Sequence, residues 1–159
     1  MYPNTRIDKV SLINFKNHLN TNLKDLSSFV VLNGNNGSGK TNILEAISLF
    51  SPGRGPKNTR FVEMPNKGRD QNNFEIKINL KYDTCEVELF RSFSSVKKNK
   101  NYISVDNEKI TNFQLLEFIN ILWITPIMEK VLIQSNSEKR NFFDRLIFNI
   151  NKSLSLIHI

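Results

Sequence analysis

Residues Gly34-Asn35-Asn36-Gly37-Ser38-Gly39-Lys40-Thr41 carry the spacing G-x-x-x-x-G-K-[ST]. The chemistry served by that spacing is capture of a polyphosphate. Glycines let the backbone turn tightly so that successive amides approach phosphate oxygens, and a helix starting at the lysine adds its own unpaired N–H groups. Lys40 then reaches the β- and γ-phosphates, and the Thr41 hydroxyl is placed to hold Mg²⁺. Asn36 and Ser38 shape the loop, and Ser38 is a further candidate donor to phosphate. Asn35 completes the set of cofactor-binding positions, whose expected ligand is ATP with Mg²⁺. At ordinary residue usage four fixed positions of this kind match by chance in about a few of every hundred thousand windows. A Gly/Asn-rich hairpin turn would account for the glycines, but not for the lysine or for the helical pattern after it.

A cradle of this type needs a strand to aim it and a helix to receive the anion. Phe29-Val30-Val31-Leu32 is an apolar run, so Phe29 to Asn33 is expected to be a buried strand. Asn42-Ile43-Leu44-Glu45-Ala46-Ile47 has helical character, and the helix from Lys40 should stop near Ser51-Pro52-Gly53. Asn42 and Glu45 are both candidates to support the site, with the solvated helix face the expected place of Glu45.

The other elements follow from periodicity. Arg6 to Phe15 alternates loosely and reads as a first strand; Asn20 to Ser28 is polar and reads as turn. Arg54 to Asn73 lacks periodicity and reads as a long loop. In Asn73 to Tyr82, residues Phe74, Ile76, Ile78, Leu80 and Tyr82 share one face, and Asp83-Thr84 turns the chain into an antiparallel partner from Cys85 to Arg91. Lys97 to Asn101 is a basic hairpin tip before Tyr102 to Val105, with another turn at Asp106-Asn107. Thr111 is a cap for a helix carrying Leu115, Leu116, Phe118 and Ile119, and Ser135-x-x-Glu138 opens a last helix with Phe142, Phe143, Leu146, Ile147 and Ile150 as its stripe. Polar outward faces imply an antiparallel subsheet beside the nucleotide-binding sheet.

With 159 residues, 39% of them hydrophobic and 23% charged, the chain suits one domain with a core and does not suit a disordered segment. No apolar run approaches the ~20 residues of a membrane span, and no signal region precedes Arg6, so a cytoplasmic location without membrane contact is expected. Cys85 stands alone, which removes disulfide and metal-cluster frameworks; it is expected to fill a strand face. The net charge of +7 suits either plain solubility or a polyanionic partner. Basic residues gather at Arg54, Lys57, Arg60, Lys67 and Arg69, and again at Lys97, Lys98 and Lys100. Arg54, Lys57, Arg60, Lys97, Lys98 and Lys100 are the DNA-contact candidates, since phosphate contacts need charge and reach rather than base reading. Trp123, between Leu122 and Ile124, suits a core better than a base-stacking platform.

Leu12-Ile13-Asn14-Phe15-Lys16-Asn17-His18 together with Asn33 to Ile47 resembles the opening of the SMC/RecF group of ABC-type ATPases. Ser51-Pro52-Gly53-Arg54-Gly55, Trp123 to Lys130 and Glu138 to Ile147 resemble RecF segments, in a form associated with alphaproteobacteria. Asn141 departs from the pattern, standing where that family has a third basic residue. The resemblance runs from about Arg6 to about Asn149. It implies an α/β fold: the first lobe of a P-loop ABC-type ATPase head, a mixed sheet with an antiparallel β subsheet and flanking helices. Gln134 is the residue it would place in the metal-sensing role of such heads, although a glutamine is equally at home in a loop. The signature segment, the Walker B acidic pair and the second lobe fall outside the chain, so residues 1–153 read as the N-terminal lobe and hydrolysis by this piece alone is expected to be slow. Leu154 to Ile159 resembles the translation of a transposon-end adapter and reads as a non-native tail.

The resemblance implies a DNA repair and replication protein that binds single-stranded and gapped or linear double-stranded DNA under ATP control and supports recombinase loading and the SOS response to damage. Its implied partners are DNA without sequence preference, a second copy in an ATP-dependent homodimer at full length, and other recombination mediator proteins. The other reading from the same group is an OLD-type P-loop ATPase attached to a nuclease domain; the gene beyond Ser153 discriminates the two.

Overall fold

A computed structural model of the chain describes residues 5–51, 55–68, 72–96 and 100–126, with positions 136–137, 139–140, 143 and 147 beyond them. Strands β1 (Arg6–Phe15) and β2 (His18–Leu23) form a hairpin. Strands β3 (Asn73–Lys81), β4 (Glu86–Ser94), β5 (Lys100–Val105) and β6 (Glu108–Lys109) follow, in the order β2-β1-β3-β4-β5-β6, with each pair antiparallel. Helix α1 (Lys40–Ser48) lies between β2 and β3 in the chain.

Alternation explains why β1, β3 and β4 bury one face. Val10 and Leu12, Phe74 to Leu80 at every second position, and Leu89 and Phe93 meet Ile43, Ala46, Leu49 and Phe50 of the helical segment in one apolar cluster. Phe74 stacks on Phe61 and Phe93 with ring centroids 6.3 and 5.9 Å apart, and meets Phe15 edge-on at 5.3 Å. After Ser48, amides 49 to 51 bond three residues back, tightening the chain to Ser51 ahead of Pro52. Asp106 and Asn107, at φ 47° and 70°, make the expected turn between β5 and β6.

Several expectations need correction. Asn20 to Leu23 is strand rather than turn, because pairing with β1 satisfies its backbone whatever its side chains. Phe29 to Asn33 is not a buried strand: it is unpaired extended chain, with Phe29 81% and Val31 72% exposed. No strand among the described residues pairs with it, and of its apolar side chains only Leu32 packs against the core. The helix expected after Thr111 is one 3₁₀ turn, Gln114–Glu117. Thr111 and Gln114 do exchange capping bonds, the Gln114 amide donating to Thr111 Oγ1 at 3.2 Å and the Thr111 amide to Gln114 Oε1 at 2.9 Å. One turn already buries Leu115 and Leu116, and a longer helix gains little to offset its ordering cost. Cys85 is exposed at the start of the β4 segment rather than filling a strand face. Ser135 and Glu138 lie outside the described residues; positions 136–137, 139–140, 143 and 147 are helical, with Phe143 and Ile147 exposed.

Arg91 on β4 is buried inside the sheet's covered face. It lies over the Phe50 and Phe61 rings at 5.9 and 5.7 Å and donates to Asn112 Oδ1 at 2.6 Å. No carboxylate among the described residues pairs with it, and burial lowers its pKa to about 10. Replacing such a charge with an apolar side chain of similar length removes a desolvation cost, and Asn112 is exposed enough to turn to water. Arg91→Met is therefore expected to leave stability unchanged or raise it by up to about 2 kcal/mol. Urea unfolding checks this; a loss of comparable size would mean that the guanidinium stabilises the fold.

Candidate nucleotide-binding site

The loop from Gly34 to Gly39 joins the extended segment to α1, and its conformation is one that glycine permits. Gly37 and Gly39 have φ of 82° and 99°, and Gly39 is the N-cap of α1. A Cβ on Gly37 would meet open space, whereas one on Gly39 would fall on His18 Nε2 and within 2.7 Å of the Asn17 amide. The loop is thus open on its outer side and closed on the side of the β1–β2 hairpin. The Gly39 carbonyl accepts from the amides of Asn42 and Ile43 at 2.8 and 3.1 Å, starting the helix. Its first amides are left for a ligand.

Lys40 folds back over this loop. Its Nζ donates to the carbonyls of Gly34 at 2.6 Å and Asn35 at 2.8 Å, so the ammonium sits inside the curve rather than in solvent. It is half-buried. Asn35, Asn36 and Ser38 are exposed along the loop, and Thr41 is exposed on the first turn of α1. Such a cradle fits a polyphosphate: amides and an ammonium face one concavity, and Thr41 supplies a hydroxyl for a hydrated Mg²⁺, which would neutralise phosphate charge.

Two residues that motif reading left without a role, Asn17 and His18, hold this loop from behind, and Lys16 beside them pairs with α1. Asn17 Nδ2 donates to the Gly37 carbonyl at 3.2 Å, and Asn17 Oδ1 accepts from Asn42 Nδ2 at 2.8 Å. His18 is buried, with Nε2 3.1 Å from the Gly39 carbonyl and Nδ1 2.8 Å from Thr21 Oγ1. Lys16 Nζ lies 2.5 Å from Glu45 Oε1. Glu45 is the clear correction here: it is fully buried rather than on a solvated face, accepting also from Thr59 Oγ1 at 3.1 Å, with Lys57 Nζ 3.7 Å from Oε2. A carboxylate in a helix reads as surface by default; only the approach of Lys16 and Thr59 from other elements makes burial tolerable. Position at a strand end was the available signal for Lys16 to His18, and it cannot name their partners.

Among the DNA-contact candidates, Lys57 is turned toward Glu45, Arg60 is exposed before a 3₁₀ turn (Phe61–Glu63), and Lys100 is exposed at the start of β5. Arg54, Lys97 and Lys98 lie outside the described residues, as do Gln134 and Asn141.

The AAA domain family matches residues 9–158. The chain belongs to that family. The AAA domain here is similar to the DNA replication and repair protein RecF of Rickettsia prowazekii (strain Madrid E), at 34% identity over 148 residues that cover 93% of this chain and 40% of the relative. RecF of Rickettsia bellii (strain OSU 85-389) is 36% identical over 138 residues, covering 87% and 38%. The likeness to RecF read from the motifs is borne out, and the chain spans about two fifths of the length of these relatives. Among solved structures, the recombination mediator protein RecF-ATP of the RecFOR pathway superposes with a TM-score of 0.78 at 23% identity, over 96% of this chain and 40% of that one. An SMC ATPase studied for ATP-driven dimerisation superposes with a TM-score of 0.66 at 22% identity, over 88% of this chain and 98% of that one. These likenesses establish the fold: the P-loop lobe of an ATPase head, with its antiparallel sheet and flanking helices. No helix among the described residues is long and apolar enough to cross a membrane.

Proposed function

We propose that this chain is the nucleotide-binding lobe of a RecF-type DNA repair ATPase, holding Mg-ATP at Gly34 to Thr41 and acting in the full-length protein through ATP-dependent pairing of two heads on DNA. The observation that carries this reading is Lys40 folded onto the carbonyls of Gly34 and Asn35, in a loop that caps α1, within a chain whose curated relatives are RecF proteins. Phosphate oxygens placed in the curve would receive the ammonium and the first helix amides together. Titrating the chain with Mg-ATP by calorimetry tests it: saturable binding that EDTA weakens supports the reading, and no heat at millimolar nucleotide refutes it.

The wider role is part of the same proposal. The full-length protein binds single-stranded and gapped or linear double-stranded DNA, supports recombinase loading with other mediator proteins and contributes to the SOS response, as a cytoplasmic protein. Hydrolysis needs a positioned water and opposing charge on the transferred phosphoryl group, which the cradle alone does not provide. The isolated chain therefore binds nucleotide and turns it over slowly. The exposed Phe29 to Val31 segment and the apolar groove beside Leu26, Val30, Leu32, Ile43 and Leu44 suit a lobe boundary that the remaining part of a full-length relative would cover.

DNA contact is expected to be electrostatic and indifferent to sequence, through Lys97, Lys98 and Lys100 and the loop bearing Arg54, Lys57 and Arg60. Replacing Lys97, Lys98 and Lys100 together by alanine should lower affinity about equally for unrelated sequences and flatten the salt dependence, because fewer counterions are released. Fluorescence anisotropy against potassium chloride concentration measures both. Unchanged affinity and slope would leave that tip as a solvated hairpin.

A further inference from the structure

We infer that His18, assisted by Asn17, is a positioning residue that sets the phosphate loop before nucleotide arrives. The inference rests on the nucleotide-binding reading and adds to it how the cradle is held in shape. The two side chains stand on the β1–β2 hairpin, yet each bonds a carbonyl of the glycine-rich loop: Asn17 that of Gly37, His18 that of Gly39. Both carbonyls belong to residues at positive φ, where a glycine backbone has the most freedom to lose.

The direction of these bonds matters. In a trans peptide the carbonyl and the following N–H point opposite ways, so fixing a carbonyl also aims the next amide. With the Gly39 carbonyl held toward the hairpin and the helix, the Lys40 amide points to the loop's concave side, where an anion would sit. His18 must donate through Nε2, since a carbonyl only accepts; Nδ1 is then the acceptor for the Thr21 hydroxyl. Thr21, three residues along the same strand β2, thereby fixes both the ring's orientation and its tautomer.

The hairpin is itself anchored away from the loop. The Lys16 amide donates to the Met64 carbonyl at 2.7 Å, the Asn66 side chain donates to the Lys16 carbonyl at 2.5 Å, and Lys16 Nζ meets the buried Glu45 of α1. The clamp is therefore rigid relative to the helix whose first turn it serves. A loop already held in its binding shape loses less conformational freedom on capture of its ligand, and affinity rises accordingly.

The test compares His18→Phe, His18→Gln and Lys40→Ala in this chain, reading Mg-ATP affinity by calorimetry and amide hydrogen exchange without nucleotide. Glutamine can present an amide Nε2 donor at a reach similar to the imidazole Nε2, whereas phenylalanine keeps the ring volume without a donor. His18→Phe is expected to bind Mg-ATP about tenfold more weakly and to exchange amides 37 to 41 about tenfold faster, while β3 stays protected. His18→Gln is expected to return both readouts to within about threefold of wild type. Wild-type binding and exchange in His18→Phe, with Lys40→Ala impaired, overturns the clamp alone. So does a His18→Gln protein, folded by its β3 protection, that is as impaired as His18→Phe, since the ring's shape would then be the feature that counts. Lys40→Ala binding as tightly as wild type overturns the nucleotide reading and the clamp with it.

Discussion

Lys40→Ala is expected to weaken Mg-ATP binding to the chain by at least about a hundredfold, to the edge of detection. The ammonium lies within the loop's curve at 2.6 and 2.8 Å from two carbonyls, so it is already partly stripped of water and aimed where phosphate would collect. Removing it leaves phosphate charge facing those carbonyl oxygens with only backbone amides to offset it. No other lysine or arginine among the described residues hydrogen-bonds to the loop, so none stands ready to replace it. In the full-length protein the same change is expected to abolish the ATP-dependent pairing of heads and retention on DNA proposed above. Calorimetry on the chain and sedimentation of the full-length protein with and without ATP read the two effects. Wild-type affinity in the mutant would sink the assignment of Gly34 to Thr41 as the nucleotide cradle.

Glu45→Ala is expected to destabilise the chain by about 3 kcal/mol, the scale seen when one member of a buried ion pair is removed. Glu45 is fully buried and the Lys16 side chain is 16% exposed, so alanine would strand an ammonium that water reaches poorly and leave space where the carboxylate stood. Thr59 and Lys57 would lose their contacts to the same group, loosening the loop after α1 where it folds over the helix. Adding Lys16→Met to Glu45→Ala should restore part of the loss, because the stranded charge is gone. Urea unfolding of the two single variants and the double variant separates the terms. A Glu45→Ala protein as stable as wild type would show that water reaches the pair and that the carboxylate is no structural anchor.

What could be read from residue order is what depends on near neighbours. A two-residue period marks a strand whenever one face is covered, and β1 and β3 emerged as strands, β3 with the expected Phe74, Ile76, Ile78 and Leu80 inward. Asp106-Asn107 favours a left-handed turn by its own backbone preferences, and the turn is there. The phosphate cradle is local in the same sense: glycine, lysine and threonine at fixed spacing before a helix contain most of its chemistry, and Lys40 does fold over the loop.

Tertiary structure decided everything that needed a partner from elsewhere. Phe29 to Asn33 has the composition of a buried strand, but a strand exists only where another pairs with it, and none among the described residues does. His18 to Leu23 lacks a strand's apolar alternation and is one because β1 offers its edge. Glu45 looks like any exposed helical carboxylate until Lys16, 29 positions earlier, arrives at 2.5 Å. Asn17 and His18 gain their meaning from carbonyls 20 and 21 residues away. Hydrogen bonds and ion pairs act over a few ångströms in space and are blind to separation along the chain, so residue order alone displays the groups while the fold selects their partners.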